Sequence, residues 1–139
     1  MADRDLGAED VGNADVSEPG EEGRGSLRQD ISNAIVALYK KHFGKGPTRC
    51  RTYVEQELVI VVLGEGYTAG ERTLLEAGKW FEVREARLIW QDSMEELFVS
   101  AIEELTGRSV TAFMSANRQE PDFAVEIFVL APDNGDAIA

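Results

Sequence analysis

A chain of 139 residues, 43% of them hydrophobic, can bury one core and is too short for a second domain of ordinary size. Its formal charge of −12 sets it against nucleic-acid phosphates and anionic lipid headgroups. Its single cysteine, Cys50, excludes an internal disulfide and a Cys-x-x-Cys metal clasp.

Half of that charge lies near the start, where residues 1–26 carry eight acidic and two basic side chains. Residues 1–25 are rich in Gly, Asp, Glu and Ala and hold no aromatic, too little apolar surface to offset ordering entropy. They read as a disordered acidic tail, residues 26–131 as one folded domain, and 132–139 as a short flexible tail. "MADRDLGAEDVG" has no basic-then-apolar signal pattern, and no apolar run nears the ~18 residues that a bilayer crossing needs. The expectation is a cytoplasmic protein that binds no nucleic acid and does not insert into a membrane.

Ser26 and Gln29 fit a capping box, and Ile31, Ile35, Leu38, Tyr39 and His42 recur at helical spacing, so a helix is predicted to end near Phe43. Gly44 stops it and Pro47 blocks its return. "TRCRTYV" alternates as a strand, "EQE" turns the chain, and "LVIVVLG" reads as a strand apolar on both faces, hence central or covered on both sides. Thr68 and Glu71 form a capping box before a short helix that stops near Gly78. The pattern then predicts a long helix from Trp80 to Leu105, with Ser93–Glu96 as a capping box where it can break. "VTAFMSA" and "FAVEIFVLA" are the last strands, joined by "NRQEPD".

Laying Gly44 on Gly107 brings out an internal repeat. Ile31, Ile35 and Tyr39 then fall on Met94, Phe98 and Ile102, Lys45 on Arg108, Thr48 on Thr111, and Cys50 on Phe113. After a four-residue loop insertion, Leu63 falls on Leu130. The fold class that follows is α+β: two αββ units with a long connecting helix, and a four-stranded, mainly antiparallel sheet with helices on one face. The two-sided strand and the long helix together predict a homodimer.

"GKGP" raises the question of a phosphate loop. A phosphate loop follows a strand and opens a helix, presenting N–H groups to the anion. Here the order is inverted, and the helix end offers carbonyls that favour Lys40, Lys41 and Lys45. Yet no acidic residue falls between Ile31 and Val54, while Lys45, Arg49 and Arg51 all do. These three, with Arg108 in the matching turn, are the candidate anion- or partner-binding residues, against the plainer reading of a solvated basic surface. Cys50 reads as a small buried hydrophobe and His42 as a helix-end cation. One His and one Cys cannot supply a structural zinc site, and no cofactor or catalytic residue is indicated. Glu126 interrupts an apolar strand, either on a half-exposed sheet face, the favoured reading, or buried against Arg49 or Arg51.

The ordered segment resembles the MpsC-like family of small bacterial proteins from about Ile31 to Leu130, most specifically in "GKGPT", "LTGRSVTAFMS" and "AVEIFVL". The resemblance implies a non-enzymatic accessory component of a Na⁺-translocating, membrane-potential-generating system, linked to inorganic-carbon uptake, with a membrane-embedded cation-translocating partner. It carries no catalytic residues across. The alternative is a small-anion or nucleotide-sensing regulator built on the basic turns.

Overall fold

The computed structural model of the protein describes residues 22–132. The order is α1 (Glu22–Phe43), β1 (Arg49–Glu55), β2 (Leu58–Gly64), α2 (Ala69–Glu76), α3 (Trp80–Ser93), α4 (Glu95–Thr106), β3 (Val110–Arg118) and β4 (Phe123–Leu130). The strands form one antiparallel sheet in the order β1-β2-β4-β3.

Helix α1 starts before the expected Ser26–Gln29 cap, which therefore lies inside the helix. Residues 1–21, most of the expected acidic tail, and 133–139 lie outside the described residues. Lys40, Lys41 and His42 occupy the last turn of α1, where exposed carbonyls favour positive charge. Gly44 then turns the chain at φ +101°, a conformation that costs glycine nothing and other residues a clash with their own Cβ. Gly107 does the same after α4 at φ +71°, its N–H donating to the Glu103 carbonyl at 2.8 Å.

The two units of the repeat match in space. Each is a helix, a glycine turn and an antiparallel strand pair: α1-β1-β2 and α4-β3-β4. They join through β2 and β4, which pair with Ile60 opposite Ile127. The equivalent residues Ile31, Ile35 and Tyr39, and Met94, Phe98 and Ile102, all belong to the buried core between helices and sheet. Tyr39, Trp90, Phe98 and Phe113 extend it as ring contacts with centroids 4.7–6.1 Å apart.

The long helix expected from Trp80 to Leu105 is two helices. The chain breaks at Met94 (φ −89°, ψ 3°), whose side chain is drawn into the core. No side chain caps α4, because the Ser93 hydroxyl donates back to the Ile89 carbonyl at 2.7 Å instead. The expected Thr68–Glu71 capping box does form: the Glu71 N–H donates to Thr68 Oγ1 at 3.1 Å, and the Thr68 N–H to Glu71 Oε1 at 2.9 Å.

Strand β2 shows its two apolar faces differently. Val59, Val61 and Leu63 are buried under the helices, while Leu58, Ile60 and Val62 lie on the other side of the sheet and keep partial exposure. Among the described residues, only one face of this strand is covered.

Candidate functional site

Alternation along β4 puts Ala124, Glu126, Phe128 and Leu130 under the helices and Phe123, Val125, Ile127 and Val129 on the open face. Glu126 is thus fully buried, at 0% exposure, and the favoured expectation of a half-exposed carboxylate is corrected. Nor does it meet Arg49 or Arg51, which alternate onto the opposite face of β1 from the helix-facing Cys50 and Thr52. Its partners are three neutral donors. The Tyr39 hydroxyl donates to Oε2 at 2.6 Å, Gln91 Nε2 donates to the same oxygen at 2.8 Å, and the Ser115 hydroxyl donates to Oε1.

Burial disfavours the charged carboxylate more than these three bonds restore it, so the acid is pushed up to about 7. Tyr39 is raised well above its ordinary range, first by burial and then by the neighbouring carboxylate, and remains a donor. Gln91 is fixed as well: its amide N–H₂ also donates to the Ala116 carbonyl at 3.1 Å, and its Oε1 accepts from Asn117 Nδ2 at 3.2 Å.

One turn before Gln91 on α3, Arg87 is also buried. Its Nε and Nη2 donate to Glu71 Oε2 and Oε1 at 2.8 and 3.0 Å, a two-pronged pair, and Nη1 donates to Asp122 Oδ1 at 3.0 Å. The guanidinium lies over the rings of Phe43 and Tyr67, 5.3 and 4.9 Å from their centroids. Burial works against its charge, but Glu71 and Asp122 outweigh burial and hold it protonated. Asp122 Oδ2 also accepts the Gly66 N–H at 2.8 Å, tying the β2–α2 loop to the start of β4. The cluster therefore fastens α2, α3 and the β2–α2 loop together, and Glu71 serves at once as helix cap and ion-pair partner.

Among the described residues, two small cavities touch this cluster, each about 10 Å³, the space that one water centre needs. Neither admits a substrate. Among the described residues, no group of three or more His, Cys, Asp or Glu side chains is placed to hold a metal.

The sequence-predicted basic residues are not gathered into one site. Lys45 lies in the Gly44 turn, and Arg49 and Arg51 follow on β1, where Arg49 Nε meets Glu65 Oε2 at 2.9 Å. Hydrogen bonds from Thr48 and Arg49, with the charges of Arg49 and Lys45 nearby, hold Glu65 below the usual carboxylate range. Arg108 sits at the far end of the sheet, its guanidinium donating to the Ala131 carbonyl at 3.0 and 2.6 Å and to the Gln56 carbonyl at 3.2 Å. Cys50 is buried, its thiol pushed up to about 11 by burial. His42 is exposed, and its backbone carbonyl accepts Trp90 Nε1 at 3.2 Å.

Tyr39, Gln91, Ser115, Arg87, Glu71 and Asp122 did not stand out in the sequence as a set. A signal was present on α3, where Val83, Arg87 and Gln91 recur every four residues along the stripe that helical periodicity reserves for the core. A long polar side chain on such a stripe requires a buried partner.

Two side-by-side αββ units, an enclosed polar cluster and a sheet face left open among the described residues define a small α+β protein. The family model described as "Na+-translocating membrane potential-generating system (MpsC)" matches residues 23–132, and the chain belongs to the MpsC family. Neither a search of curated proteins nor one of solved structures returned a match. Among the described residues, no helix is long and apolar enough to cross a membrane.

Proposed function

We propose that the protein is a non-enzymatic, cytoplasmic accessory component of a Na⁺-translocating, membrane-potential-generating system, working by docking to a larger membrane-embedded partner. Family membership is the observation that carries this reading. It is supported by the outer surface of α3, where Phe81 and Ile89 are 66% and 67% exposed, two turns apart on one side of the helix. Inorganic-carbon uptake is the transport process such a system would energise.

The test is affinity capture of tagged full-length protein from native membranes, with captured proteins identified by mass spectrometry. A membrane-embedded cation-translocating protein should be retained by the wild type and lost with Phe81→Glu/Ile89→Glu. Retention of no such protein, or equal retention by the variant, refutes docking through α3.

A second reading, a small-anion or nucleotide sensor, rests on Arg49, whose Nη1 is buried and has no hydrogen-bond partner among the described residues. Such a site would use Lys45, Arg49 and Arg51 without Arg108. Calorimetry with bicarbonate, phosphate and ATP decides it: no heat with any of the three removes the reading.

A further inference from the structure

The open face of the sheet carries apolar side chains where a solvated face would carry polar ones. Four rows run across it in register: Arg49–Gly64–Phe123–Arg118, Arg51–Val62–Val125–Ala116, Tyr53–Ile60–Ile127–Met114, and Glu55–Leu58–Val129–Ala112. The helices lie on the other face, with the buried core. Tyr53, Leu58 and Met114 are 44%, 39% and 51% exposed. A shallow apolar depression of about 300 Å³ lies over Val62 and Val125.

We infer that this face is the contact between two copies of the chain, stacked sheet on sheet with their strands reversed. Four strands spaced ~4.8 Å apart and about seven residues rising ~3.3 Å each give a face of roughly 19 by 23 Å. Two such faces cover roughly 900 Å² in plan, and on the order of 1,200 Å² once side-chain relief is counted, the lower end of a specific protein interface. The contact is a two-layer packing with sheets ~10 Å apart and strands within about 30° of one another.

The charges on the face are placed so that one orientation of a second copy is self-complementary. Along β1, Arg49 and Arg51 mark one end and Glu55 the other, with Tyr53 between and the Arg51 guanidinium 5.1 Å from the Tyr53 ring centroid. A two-fold axis lying in the interface and across the strands lays β1 on its own copy in reverse, so that each arginine end meets the partner copy's Glu55 end. An axis along the strands would instead lay β1 on β3 and bring Arg49 and Arg51 against Arg118. Only the first arrangement is self-complementary, as an isologous interface requires.

The inference stands apart from the docking reading, which uses α3. Sedimentation equilibrium of the full chain at about 1 to about 50 µM tests it. The wild type should have twice the 15.3 kDa chain mass. Ile127→Asp should raise the dissociation constant at least ~100-fold, since it leaves a carboxylate without a partner at the centre of the contact. Met114→Lys, at a half-exposed edge position outside the core, should raise it ~10-fold with unchanged circular dichroism, and it decides the matter if Ile127→Asp fails to fold. Arg51→Glu should weaken association, and Arg51→Glu/Glu55→Arg should restore it. A monomeric wild type overturns the inference and leaves docking through α3 standing. So does a dimer indifferent to Met114→Lys, and a double reversal that fails to recover overturns the orientation.

Discussion

Glu126→Gln tests the buried cluster most directly. A carboxyl that titrates at about 7 in the fold, against an ordinary value of 4.5, holds its proton in the folded chain across a window where the unfolded chain has released it. Its contribution is therefore fully present below about pH 4.5 and is lost as pH rises through about 7. The difference amounts to about 3 kcal/mol by the time the acid is ionised in both states. Glutamine keeps the shape and the bonding. Its carbonyl oxygen can accept from Tyr39 and Gln91 as Oε2 does, and its amide can donate to Ser115, whose hydroxyl turns from donor to acceptor. Urea midpoints of both proteins, measured from about pH 5 to about pH 8.5, provide the assay. The wild type should lose stability relative to the variant across the window, with a gap of about 1 kcal/mol at pH 5 widening to about 3 kcal/mol at pH 8. Parallel curves would refute the reasoning, because a carboxylate that ionises in place without cost cannot be desolvated.

The remaining predictions concern the elements that hold this cluster. Phe98→Ala removes a fully buried ring in contact with Tyr39, Trp90 and Phe113 and should cost about 3–5 kcal/mol in urea unfolding, with an unchanged m-value. Gly44→Ala meets open space, so its cost should come from the backbone alone, about 1 kcal/mol or somewhat more, visible as a lowered melting temperature. Arg87→Met leaves Glu71 and Asp122 largely buried without their cation and should cost about 3–5 kcal/mol near neutral pH. Urea unfolding at about pH 7 measures the loss, and an unchanged midpoint would refute the cluster's role as a fastener.

Most of the fold was legible because each element carries its own period. The α1 pattern of Ile31, Ile35 and Tyr39 and the two glycine turns located the repeat, and the repeat supplied the sheet. Alternation along β4 separated its two faces correctly but could not say which face the helices cover. Phe123, Val125, Ile127 and Val129 form the more hydrophobic set, so hydropathy favoured covering that side and exposing Glu126. Hydrogen bonding decided otherwise: Ser115 faces Glu126 across the β3–β4 hairpin, but Tyr39 and Gln91 reach it only from helices distant in sequence. The placement of the basic residues was hidden for a related reason. Antiparallel pairing of β2 with β4 relates the two units by an approximate two-fold, which sends equivalent turns to opposite ends of the sheet and parts Arg108 from Lys45 and Arg49. The break at Met94 left a capping pattern in the sequence, but the cap itself did not form.

The seam between β2 and β4 has a consequence for how molecules can entangle. Each αββ half completes its own strand pair, and the halves meet along a ladder from Leu58–Val129 to Gly64–Phe123 that is indifferent to whether both strands belong to one polypeptide. If the α2–α3 region around Gly78 straightens, two chains can trade second halves and form the same ladder twice. Crowded refolding should therefore yield an exchanged pair whose lifetime is set by global unfolding and not by surface dissociation.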